Sequence, residues 1–153
     1  MNEVDFDATD RKILGLLLAD GRRSFTDVAR DTGLSTSAAH QRVRRLEQRG
    51  AITGYRANVD PHAVGLPLTA FVSITPTDPA APDDLPERLA HLNAVEACHS
   101  VAGDENYILT VRVATPPDLE HLLKQIRAAA QVSTRTTVVL STPWEGRTQP
   151  PTA

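Results

Sequence analysis

Apolar positions recur at helical spacing through the first third of the chain and at strand spacing after it. Residues 8–19 carry Ile13, Leu14, Leu16, Leu17 and Leu18 on a helical period, with Thr9 and Asp10 ahead of them as cap candidates. Residues 24–50 (SFTDVARDTGLSTSAAHQRVRRLEQRG) predict two short helices joined by a tight turn. Ser24 with Asp27 forms a capping box, and Gly33 suits the left-handed residue that closes a helix. Ser35 or Thr36 caps the next helix, where Ala39, Val43 and Leu46 make one buried stripe. Residues 51–59 (AITGYRANV) have strand character interrupted by Gly54 and predict a short strand or wing. Strands follow at 68–75, 95–101, 107–113 and 132–140, with helices opening at Asp83 or Asp84 and at Pro117. The order βαββαβ is the ferredoxin-like arrangement.

The fold class is therefore α+β. A winged helix-turn-helix domain spans residues 1–53 and a linker strand or hinge spans 54–66. A βαββαβ domain occupies 67–142, and an irregular proline-rich tail 143–153. A four-stranded sheet with helices on one face leaves its other face to cover, which predicts self-association of the second domain.

Composition changes this picture little; charge distribution changes it more. The chain has 153 residues, and at 4% aromatic its core is mostly aliphatic. The net charge of −3 hides a strong asymmetry. Residues 22–56 hold eight arginines against three acids (Asp27, Asp31, Glu47), whereas residues 61–153 hold six basic and ten acidic residues. A basic first domain on an acidic chain is the footprint of a nucleic-acid binder. A single cysteine, Cys98, excludes an internal disulfide and fits a reducing cytoplasm. The acidic start MNEVDFDATD is not a signal peptide, and no apolar run reaches the length of a membrane span.

The second helix of the hairpin shows small polar groups near its N-terminus and arginines after them. Ser37, His40 and Gln41 are the candidates for base edges, with Gln41 suited to bidentate pairing with adenine, and Ser35 and Thr36 at the start of the helix are further DNA-binding candidates. Arg44 and Arg45, with Arg22 and Arg23 ahead of the hairpin, are candidates for phosphates. Arg42 is set apart as pairing with a neighbouring acid. Adjacent strand residues point to opposite faces, so Cys98 and His99 do not form a nucleophile–base pair. The five histidines lack metal-ligand spacing. No enzyme, metal or cofactor is expected.

Three stretches, DATDRKILGLLLADGR, VARDTGLSTSAAHQRVRRLEQRGAITGYRANVDPHAVG and VAGDENYILTVRV, resemble the Lrp/AsnC (feast/famine) family of transcriptional regulators. The resemblance covers about residues 7–140. It implies a cytoplasmic regulator that binds promoter DNA as a dimer, assembles to a tetramer or octamer, and binds an amino acid between subunits. The implied effector site is Gly103, Asp104, Glu105, Asn106 and Tyr107, with Thr134, Thr136 and Thr137 on the last strand. In this loop Gly103 lets the backbone turn sharply. The family loop usually reads Gly-Asp-x-Asp-Tyr; Asn106 replaces its second aspartate, as in members resembling actinobacterial alanine-metabolism regulators. The rival reading is a stand-alone metabolite-binding module acting on an enzyme, which has no use for a basic helix.

Overall fold

In the computed structural model, residues 6–147 and 149 are described; the first five residues and most of the expected tail beyond 147 lie outside them. The chain divides into two compact units, one reaching to Asn58 and the other Val59–Pro143.

The first unit holds α1 (Ala8–Ala19), α2 (Phe25–Thr32) and α3 (Thr36–Gln48). Ile13, Val28, Ala29, Ala39, Val43 and Leu46 form its core, one stripe from each helix. Of the apolar residues expected on α1, Ile13 alone is fully buried, and Leu18 is 47% exposed. The cap of α1 also differs from expectation. Asp7, not Thr9 or Asp10, accepts from the backbone N–H of Asp10 at 2.7 Å. This leaves the Asp10 carboxylate inside the unit, 2% exposed.

The expected wing does not form. Residues 53–60 are irregular and 61–65 form turns. Gly54 sits at φ 155, which interrupts the extended run, and among the described residues this unit offers no strand to pair with.

The second unit runs β1 (Leu68–Pro76), α4 (Leu85–Leu89), β2 (Val95–Ser100), β3 (Tyr107–Val113), α5 (Pro116–Ala130) and β4 (Val132–Val138). The strands lie in the order β2-β3-β1-β4, all antiparallel, the ferredoxin-like topology that the pattern predicts. Register follows the alternation of apolar residues: Val72 stands opposite Leu109 on one side and Thr136 on the other. Ala70, Val72, Ile74, Leu109 and Val111 face the helices, where α5 lays Leu119, Leu122, Ile126 and Ala130 on them. Each Val, Leu and Ile side chain among these contributes about 1.5–3 kcal/mol on burial. The helix expected to run to Leu92 stops at Leu89, because the Ala90 N–H turns back to Glu87. No helix of this unit covers the opposite sheet face, where Phe71 is 44% exposed.

Candidate functional site

The α2–α3 hairpin is fixed by local bonds. Ser24 caps α2 as expected by accepting from the Asp27 N–H at 3.1 Å, but the Asp27 carboxylate accepts from the Ser24 hydroxyl at 2.6 Å and not from the Ser24 N–H, so only half of the expected capping box forms. Gly33 closes α2 at φ 73, and a Cβ there would meet nothing within 4 Å, so the backbone angle and not crowding requires glycine. Ser35 caps α3 by accepting from the Ala38 N–H at 3.2 Å, and its hydroxyl lies 3.1 Å from that of Ser37.

With the stripe Ala39, Val43 and Leu46 inward, the 100° step of a helix sends Ser37, Gln41, Arg44 and Gln48 outward, and all four are exposed. His40 occupies one flank, with its ring edge-on to Phe25 of α2 at 4.7 Å. Arg42 and Arg45 occupy the other flank and turn to α1. Arg42 reaches Asp7 at 2.6 Å and Asp10 at 2.8 Å, and Arg45 reaches Asp10 at 3.0 Å. The two carboxylates raise the Arg42 pKa above its already high value, the Asp7 hydrogen bond most of all. The ion pair expected for Arg42 is thus present, and Arg45, expected free, shares it. Arg23 is likewise engaged, paired with Asp31. Among the described residues Arg22 and Arg44 have no carboxylate partner, which leaves Arg44 as the unpaired cation of the outward line.

In the second unit the loop between β2 and β3 is held by its backbone. The Val101 N–H donates to Asn106 O and the Asn106 N–H to Ile74 O, both at 3.1 Å. Gly103 is not in a left-handed conformation, so the sharp-turn role expected of it is not what the backbone requires. Two clefts flank the loop. The larger, about 500 Å³, is lined by Thr75, Pro82, Asp83, Ser100, Asn106 and Tyr107 among others. The smaller, about 290 Å³, is lined by Ser73, Thr75, Asp104, Glu105, Ser133, Thr134 and Arg135, with Glu105 paired to Arg135. Asp104 and Glu105 therefore share a cleft with a cation, whereas Asn106 lines the other one. Thr134 reaches the cleft while its hydroxyl accepts from Arg127 at 3.0 Å. Thr136 and Thr137 line neither cleft. Arg135, Ser73 and Asp83 were not legible as site residues, because only strand register and the fold of the β1–α4 connection bring them to the loop.

Tyr107 is buried, and its hydroxyl donates to Asp83 at 2.5 Å. That bond to a carboxylate, then burial, pushes its pKa up to about 12. Burial, then the Glu47 carboxylate at 2.9 Å, pushes Tyr55 up to about 12 as well. These are the two tyrosines of the chain. Alkaline absorbance titration of the folded protein is expected to show both phenols ionising near 12, about two units above free tyrosine. A folded pKa above the unfolded one gives stability that is complete below pH 10 and lost as pH rises through 12. A phenol ionising near pH 10 in the folded chain contradicts these placements.

Cys98 pairs in register with Leu109 and His99 with Ile108, so their side chains diverge. Among the described residues no three His, Cys, Asp or Glu side chains are grouped to hold a metal, and no helix is long and apolar enough to cross a membrane.

Residues 6–47 match the AsnC-type helix-turn-helix domain, and residues 69–149 match the Lrp/AsnC ligand binding domain. The chain is 52% identical over 147 residues to the HTH-type transcriptional regulator LrpA of Mycobacterium tuberculosis, covering 96% of this chain and 97% of that one. It is 38% identical over 141 residues to the leucine-responsive regulatory protein of Escherichia coli K12, covering 89% and 85%. A feast or famine regulatory protein from M. tuberculosis, solved in complex with L-methionine, superposes at a TM-score of 0.94 with 50% identity. The match covers 96% of this chain and all of that one.

Proposed function

The chain belongs to the Lrp/AsnC family of transcriptional regulators, and we propose that it binds promoter DNA with α3 and answers to a free amino acid held beside the loop at 103–107. Ser37 and Gln41 meet base edges, with Ser35, Thr36 and His40 beside them at the N-terminal end of α3. Arg44 and Arg22 meet phosphates. The observation that carries this reading is the outward line of α3, polar at its start and cationic at Arg44. In the smaller cleft the effector's ammonium faces Asp104, the carboxylate there that is not tied to Arg135, and its carboxylate takes a further N–H of the Arg135 guanidinium, which offers more donors than Glu105 uses. The L-methionine complex of the M. tuberculosis protein supports an amino acid as the ligand class. A second copy of this chain covers the open sheet face around Phe71. The protein is not an enzyme, needs no cofactor, and works in the cytoplasm, where its DNA is. Residues 1–53 bind DNA and residues 67–142 bind the effector and assemble.

Counterion release gives the test. Each phosphate contact contributes about 0.9 to the slope of log affinity against log salt. Arg44→Ala is expected to lower that slope by about 0.9 on random-sequence duplex and on a site selected from a randomised pool alike. A metabolite-binding module with no DNA function predicts no measurable DNA affinity in the first place.

A further inference from the structure

Among the described residues of the first unit, the most deeply placed charge is one set apart from the outward line of α3. Asp10 is 2% exposed, and three arginine hydrogen bonds converge on its two oxygens. Arg42 Nη1 donates to Oδ1 at 2.8 Å, and Arg45 Nη2 donates to Oδ2 at 3.0 Å and to Oδ1 at 3.3 Å. A buried carboxylate is tolerated only when its oxygens are satisfied in this way. The two arginines stand at i and i+3 on α3, one helical turn along the flank beside the outward line. Their side chains are 27% and 50% exposed, so Arg45 has open solvent on one side and holds to Asp10 on the other.

We propose that Asp10 is a positioning residue of the DNA-binding face, fixing the rotation of α3 and holding Arg45 and, together with Asp7, Arg42 away from phosphate. This rests on the reading that α3 meets DNA. Rotation matters because each residue of a helix is 100° from the next, so turning α3 by a fraction of that exchanges Gln41 for its neighbours at the groove. Two bonds one turn apart, to one immobile carboxylate, set that rotation more tightly than apolar packing, which is non-directional. Withholding matters because free arginines bind phosphate without regard to sequence. A buried anion that retains them lowers affinity for random DNA and leaves the specific line to decide. A carboxylate of purely structural value would make no difference to the ion count of binding.

The experiment uses the full chain, with folding checked by circular dichroism. Affinity is measured against salt on random-sequence duplex and on a selected site. Asp10→Asn is expected to steepen the random-DNA slope by about 0.9 as Arg45 is released, Arg42 staying on Asp7, and to reduce the selected-to-random affinity ratio about tenfold. An unchanged or shallower slope overturns the proposal. Should Asp10→Asn fail to fold, Arg45→Gln decides on a half-exposed position. Its loss of slope is expected to be less than half that of Arg44→Ala, and an equal loss overturns the withholding. Arg44→Ala also separates the two readings. If it leaves the slope unchanged, α3 is not the DNA face. If it lowers the slope while Asp10→Asn does not steepen it, the role of Asp10 alone is wrong.

Discussion

Asp104→Ala is expected to abolish the heat of L-methionine binding while leaving DNA affinity in the absence of amino acid within about twofold. The physical ground is the pairing of charges in the smaller cleft. Glu105 is already tied to Arg135, so Asp104 is the carboxylate left for a ligand's ammonium. Charge-assisted hydrogen bonds are roughly twice as strong as neutral ones, and a small ligand has few contacts with which to replace one. DNA affinity is spared because the loop and α3 lie in separate compact units. Asn106→Asp is expected to matter less, since Asn106 lines the other cleft and its backbone is committed to Val101 and Ile74. Isothermal calorimetry on the wild type and both variants, with L-methionine first and the other amino acids after it, checks this. Undiminished heat in Asp104→Ala removes the smaller cleft as the site.

Gln41→Ala is the second large effect, and its signature is a change of preference more than of affinity. A side-chain amide offers one donor and one acceptor, which matches the N6 and N7 edge of adenine. Loss of such a bidentate contact costs about 1–3 kcal/mol at one base pair and nothing elsewhere. Gln41 is free to make it: it is exposed on α3, in the outward line between Ser37 and Arg44, and bonds to no other side chain among the described residues.

Elements with a strong period were legible in the sequence, as were caps that rest on neighbours. The stripe of α3, the N-cap at Ser24 and the left-handed Gly33 all depend on residues within four positions. The two central strands, β1 and β3, were legible because their alternation matches one buried face, as β3 shows residue by residue. The wing was not, because β-branched content alone says nothing about whether a partner strand exists, and Gly54 breaks the run. What the sequence concealed lies in contacts made over distance. Asp10 looked like a cap because it precedes an apolar run; its true partners, Arg42 and Arg45, are more than 30 positions away. The same holds for Arg45 and Arg23, which as bare cations looked available for phosphate. In the smaller cleft the threonines of β4 stood out by composition, while Arg135 enters only through its pairing opposite Ser73.

Sequence reading by α3 is measured by fluorescence anisotropy on a site selected from a randomised pool and its single-base-pair substitutions. Wild type and Gln41→Ala are compared across the panel. Gln41→Ala is expected to lose preference at one base pair, by about 5- to 150-fold, and to keep the wild-type pattern at every other position. A uniform loss across the panel, or an unchanged pattern at all positions, would contradict it.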